Sequence, residues 1–129
     1  MPRSAGPRPR PGIYAGPVGD LGKRIRFRLA GNRRSVRRVR ASFQLNCPRA
    51  GIFDQELRLK RIRVRKGRFA FRRRASRRGS SVRISLTGRF VPPRRARGRL
   101  NVRVRDPNAG RCRILFGGRR GLRWTATRR

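Results

Sequence analysis

The chain contains no histidine, and its carboxylates are Asp20, Asp54, Glu56 and Asp106, four among 129 residues. Histidine is the commonest general base and metal ligand near neutral pH, so most acid–base, nucleophilic and zinc chemistry is removed at once. The one close acidic pair, Asp54 and Glu56, stands among arginines, a setting expected to oppose the raised pKa a general acid needs. Such a pair ordinarily makes loop salt bridges. Two cysteines without histidine give no zinc site of ordinary spacing. A phosphate-cradling G-x-x-x-x-G-K-[ST] loop and a nucleophile elbow are also missing. These absences point to a non-enzymatic protein without metal or cofactor.

Long apolar runs are missing too. No stretch approaches the ~20 uncharged apolar residues of a membrane helix, so no transmembrane segment is expected. The first residues, Met1 to Gly12, carry prolines and arginines where a signal peptide would place its apolar segment. Either the chain works inside the cell, or a signal lies upstream or has been removed. Lysine is scarce, at Lys23, Lys60 and Lys66 only. Guanidinium forks grip phosphate and carboxylate bidentately, although a GC-rich coding sequence produces the same bias toward arginine. Trp124 and Tyr14 are the single members of their kinds.

What the chain does have is arginine alternating with hydrophobic residues. Arg24-Ile25-Arg26-Phe27-Arg28-Leu29 is one run; Arg61-Ile62-Arg63-Val64-Arg65 and Leu100-Asn101-Val102-Arg103-Val104-Arg105 are others. A period of two sends the apolar set to one face of a strand and the arginines to the other. The net charge of +36 therefore clothes a folded β core. Self-repulsion should weaken the free domain in dilute buffer, and a polyanion bound only by the folded form should stabilise it.

Residues 1–11, with Pro2, Pro7, Pro9 and Pro11 between arginines, read as an extended, disordered basic arm. Residues 12–127 read as one domain. Ile25, Phe27 and Leu29 mark an early strand. Val39, Ala41, Phe43, Leu45 and Cys47 mark the next, ended by Pro48, and Ala50 to Gln55 reads as a loop. Leu57 and Leu59 alternate on odd numbers but Ile62 and Val64 on even ones, a phase slip near Lys60-Arg61 that suggests a bulge. Phe69 and Phe71 follow Gly67. Val82, Ile84 and Leu86 run on to Pro92-Pro93, which cannot donate to a ladder. Leu100, Val102 and Val104 precede the turn at Asp106-Pro107-Asn108, and Cys112, Ile114, Leu122, Trp124 and Ala126 finish the chain. Eight or nine short strands with turn signals between them indicate an antiparallel β-sandwich or flattened barrel.

Cys47 falls on the apolar phase of its strand, and Cys112 sits on another strand between Arg111 and Arg113. Taken alone, they are either a bridge across the core or two buried thiols acting as small hydrophobes. The ordered series Gly12-x-Tyr14-x-Gly16, Ile25-x-Phe27, Cys47, Gly67-Arg68-Phe69, Gly88-Arg89-Phe90, Gly98-x-Leu100, Cys112 and Trp124-x-Ala126 resembles a family of uncharacterised small β-sandwich proteins, mostly exported, from high-GC actinobacteria. The resemblance runs from Gly12 to Arg128. It implies export and a Cys47–Cys112 disulfide, and it brings no activity or ligand. Members of that family have a small polar residue and a glycine after the second cysteine, where this chain has Arg113-Ile114-Leu115-Phe116.

Arginine clusters at Arg33-Arg34 with Arg37-Arg38, Arg72-Arg73-Arg74 with Arg77-Arg78, Arg94-Arg95 with Arg97, and Arg119-Arg120 are placed at turns, the second in a hairpin loop before Gly79. On loops they could grip successive phosphates, or they could be solvated turn charge. The aromatics Phe27, Phe43, Phe69, Phe71 and Trp124 lie on the apolar phase, so the basic face shows no stacking partner for bases. Binding would then be directed at a polymer backbone and sensitive to salt. The partners expected are anionic polymers, either a wall polyanion, an acidic polysaccharide or lipid headgroups for an exported or envelope domain, or nucleic acid for an intracellular one. A purely structural domain, its charge set by genome composition, is the remaining alternative.

Overall fold

Alternation of arginine with apolar residues marks the strand segments that face the core. A computed structural model describes residues 8–129, and among them there are nine strands and no helix. They are β1 (Gly12–Val18), β2 (Lys23–Leu29), β3 (Ser35–Cys47), β4 (Gly51–Arg63), β5 (Arg68–Arg77), β6 (Ser80–Val91), β7 (Arg95–Asp106), β8 (Gly110–Ile114) and β9 (Leu122–Arg128). All pairings are antiparallel. No helix among the described residues is long and apolar enough to cross a membrane.

Eight strands form one sheet in the order β4-β3-β2-β1-β9-β7-β6-β5, while β8 pairs with both β3 and β7. The sheet thus closes on itself into a six-stranded barrel of β1, β2, β3, β8, β7 and β9. The strands β3 and β7 run in the same direction. Three strands separate their first halves and only β8 separates their last residues, so the barrel is flattened and tapers toward β8. Outside the ring, β4 extends β3, and the β5–β6 hairpin extends β7.

The taper is held by Cys47 and Cys112, which form a disulfide. Leu45 opposes Ile114 and Asn46 opposes Arg113, and one further step along this ladder brings the cysteines face to face. The bridge therefore joins neighbouring strands where the barrel closes.

Inside, Phe27 is the hub of an aromatic cluster. Tyr14 stacks on it with ring centres 5.4 Å apart, and Trp124, Phe69 and Phe90 meet it edge-on at 5.8, 5.6 and 6.0 Å. Two glycines make room for these rings. Gly88 and Gly98 oppose one another on β6 and β7, and Trp124 opposes Gly98 from β9. A Cβ on Gly88 would lie 2.2 Å from the Phe69 ring, and one on Gly98 would lie 2.6 Å from the Trp124 ring and 1.8 Å from Thr87 O. The indole lies across the bare backbone of Gly98 and its Nε1 donates to Thr87 O at 3.1 Å. The glycine-aromatic landmarks of the sequence are thus a packing device.

Several sequence expectations need correction. Ala50 to Gln55 is not a loop: from Gly51 onward it is strand, paired residue for residue with β3. This edge strand runs past the core, and Gly51–Glu56 is exposed throughout, so no alternation marked it. Arg72, Arg73, Arg74 and Arg77 lie not in a hairpin loop but in β5, another edge strand that overruns the core; the turn itself is Arg78-Gly79. Arg37 and Arg38 belong to β3, and Arg95 and Arg97 to β7, so these pairs are not turn charge.

The phase slip near Lys60-Arg61 has its counterpart in β3. The β2–β3 register shifts between Arg26 and Arg28, and Arg38 has a φ of +51°. The bulge therefore sits on β3 while β4 follows it without a gap in register. Of the basic arm expected over residues 1–11, residues 1–7 lie outside the described residues. Its last residues are anchored: Arg10 N–H donates to Pro93 O at 2.9 Å, Tyr14 Oη to Arg10 O at 2.7 Å, and Arg33 Nε to Pro9 O at 2.7 Å.

Candidate polyanion surface

The register turns outward arginines into rows. Arg74 on β5 opposes Arg83 on β6, Arg83 opposes Arg103 on β7, and Arg103 opposes Arg113 on β8. All four are exposed. Strands lie about 4.8 Å apart, so the row spans roughly 14 Å at right angles to the strands. Shorter rows are Arg26–Arg40–Arg58, Arg28–Arg37–Arg61 and Arg68–Arg89–Arg97. Like charges directly opposite one another destabilise a sheet.

The carboxylates are distributed unevenly among these rows. Glu56 lies 3.2 Å from Arg58 and 3.8 Å from Arg40, and Asp54 lies 2.7 Å from Lys23. The Lys23 ammonium and the Gln44 amide both donate to Asp54, which holds its carboxyl below the usual range. These ion pairs all lie on the β2–β4 half of the molecule. On the β5–β8 half, Asp106 closes the turn after β7, where its Oδ1 accepts from the Ala109 and Asn108 N–H groups at 2.9 and 2.8 Å. Those two backbone bonds lower its pKa. Ser80 Oγ donates to its other oxygen at 3.2 Å. No carboxylate among the described residues forms a salt bridge with the Arg74–Arg83–Arg103–Arg113 row.

That row crosses an open cleft of about 580 Å³ lined by Arg72, Arg73, Arg74, Arg83, Arg103 and Arg119, with Ser85, Ile84 and Asn101 between them. A smaller depression of about 310 Å³ adjoins it through Arg83 and Arg103 and adds Arg105, Arg111 and Arg113. The loop between β8 and β9 is tied onto this face, since Asn101 Nδ2 and Arg103 Nη2 both donate to Arg119 O at 3.1 Å.

Of the arginines singled out in the sequence, Arg72, Arg73, Arg74 and Arg119 come together here. Arg77 and Arg78 lie at the tip of the β5–β6 hairpin, and Arg120 lies in the β8–β9 loop. Arg33, Arg34, Arg94 and Arg95 gather at the opposite end of the barrel, where Arg33 is committed to Pro9 O and Arg94 O accepts from Arg128 N–H at 2.8 Å. Arg37 and Arg38 sit at the β3 bulge, and Arg97 faces Arg89.

Sequence reasoning missed Arg83, Arg103 and Arg113, because it sought arginines adjacent in the chain and these are adjacent only across strands. It also missed Phe116, which is 78% exposed. The alternation of Cys112 and Ile114 continues inward to Phe116, but β8 ends at Ile114 and the chain turns outward. Comparison with protein-family models, with curated proteins and with solved structures finds no match to this chain.

Proposed function

We propose that this is a non-enzymatic, strongly basic domain that holds a linear anionic polymer across the outer face of β5–β8. The observation that carries the reading is the Arg74–Arg83–Arg103–Arg113 row, four exposed arginines in cross-strand register with no salt bridge to a carboxylate among the described residues. Such a row costs stability in the free protein and is relieved by an anion lying along it. A fold selected only for stability would interleave acids, as Glu56 does in the Arg26–Arg40–Arg58 row. The Cys47–Cys112 disulfide suits an oxidising compartment, which favours an exported or envelope-associated protein. A wall polyanion, an acidic polysaccharide and nucleic acid share the chemistry the row recognises.

The test is binding of the full chain to duplex DNA, structured RNA, a heparin-like glycan and a teichoic-acid-like polymer, matched in charge, across a salt series. The expected result is that one polymer stays bound at physiological salt. Replacing Arg83 and Arg103 by glutamine should reduce the slope of log affinity against log salt by about two for a duplex ligand. If all polymers decline along one steep slope, or if glutamines at Arg28 and Arg61 have the same effect, the charge acts only as a diffuse counter-ion field and the reading fails.

A further inference from the structure

Phe116 presents a phenyl ring to solvent from the β8–β9 loop, three residues after Arg113 of the row and three before Arg119 of the cleft, and the loop that carries it is closely held. Its φ of +61° lies in the left-handed region, disfavoured for a bulky residue. The loop is fixed on both sides. Leu115 N–H donates to Gln44 O of β3 at 2.8 Å and Gly117 N–H to Ile114 O at 3.1 Å, while Arg119 O is held from β7 by Asn101 and Arg103. The loop also packs closely on the barrel. A Cβ at Gly117 would lie 2.2 Å from Ile114 Cγ2, and one at Gly121 would lie 2.2 Å from Leu100 O. A tightly seated loop thus spends its least favourable backbone angle on a side chain that is 78% exposed.

The loop that bears Phe116 also supplies Arg119 to the cleft with Arg74, Arg83 and Arg103, and it leaves β8 directly after Arg113 and Ile114. An exposed aromatic beside a basic track is the combination that engages unpaired bases: the rings stack while the cations follow the phosphates. A duplex keeps its bases stacked within itself, and a polyol phosphate has no π-face. Resting on the polyanion reading above, we propose that the polymer is a single-stranded nucleic acid, its phosphates along the Arg74–Arg83–Arg103–Arg113 row and one unpaired base on Phe116.

The experiment is a fluorescence-anisotropy titration of the full chain at about 0.15 M salt. The probes are an oligodeoxythymidylate, an abasic strand with the same number of phosphates, a duplex of equal charge and an acidic polysaccharide of equal charge. The base-bearing strand should bind about tenfold more tightly than the abasic one. Phe116→Ala should erase that difference and leave abasic binding unchanged. Phe116→Trp should retain it, and its added emission should be quenched by the base-bearing strand but not by the abasic one. Replacing Arg83 and Arg113 together by glutamine should weaken binding of both strands.

Equal binding of base-bearing and abasic strands by the native protein overturns the inference but leaves the polyanion reading standing. So does an acidic polysaccharide that binds as tightly as the oligonucleotide and is lost with Phe116→Ala. If the arginine replacements change no affinity at all, the arginine-row reading itself is refuted, and this inference with it.

Discussion

Replacing Arg83 by glutamate should make the free protein more stable and its polymer binding weaker. Arg83 faces Arg74 on one side and Arg103 on the other. Two unit charges about 5 Å apart in water repel by roughly 0.8 kcal/mol, and cross-strand charge pairs contribute roughly 0.2–1 kcal/mol each. Reversing one charge turns two repulsions into two attractions, worth about 1–3 kcal/mol in dilute buffer. For a domain of this size each kcal/mol moves Tm by about 4 °C, so a rise of about 4–12 °C is expected at low salt. At about 0.15 M salt the Debye length is ~8 Å and roughly half of the gain should vanish. Arg83→Gln, which removes the repulsions without adding attractions, should give about half the rise. Thermal melts of the three proteins across a salt series decide the matter, with polymer affinity measured alongside. A lower Tm for the glutamate variant, or a gap insensitive to salt, would refute the argument that the row stores repulsion.

Other perturbations probe the barrel and its closure. Gly98→Ala sets a Cβ 1.8 Å from Thr87 O and 2.6 Å from the indole; neither backbone nor a packed ring can yield, so a loss of about 3 kcal/mol or more is expected, read by chemical denaturation and by the near-ultraviolet signal of Trp124. Removing the disulfide with Cys47→Ala and Cys112→Ala releases a crosslink of sequence separation 65, a loss of up to ~4 kcal/mol on the loop-entropy account. Reductant should destabilise the native protein and leave that double variant unchanged. Burial pushes the Tyr14 phenol up, against the lowering effects of Arg128, Arg33 and its bond to Arg10. The native state therefore keeps this proton where the unfolded chain gives it up. Its contribution to stability is full below the usual tyrosine value near 10 and is lost as pH rises beyond it. Tyr14→Phe should flatten that alkaline decline in a pH series of denaturation midpoints.

The legible parts of the fold are those where one face meets the core. Ile25, Phe27 and Leu29, or Leu100 and Val102, are buried as their alternation requires. The illegible parts are the edge strands. The first half of β4 and the second half of β5 have both faces in solvent, so no burial constraint leaves a pattern, and backbone pairing alone makes them strands. The candidate site was half legible. The excess of arginine and its outward phase follow from the string, whereas the choice of Arg83, Arg103 and Arg113 as one row required knowing that β5, β6, β7 and β8 are neighbours in register.

The sequence by itself determined a basic, all-β, antiparallel protein, because a period of two and a charge of one sign are properties of the string. It also placed two cysteines where they could bridge. Tertiary structure alone decided that the sheet closes through β8, that the cysteines face one another across that closure, and that four distant arginines form an uncompensated row. It also decided that Phe116 turns outward at the end of β8. Each of these depends on which strands become neighbours, and pairing between residues far apart in the chain is set by the packing of the whole core, which no local pattern encodes.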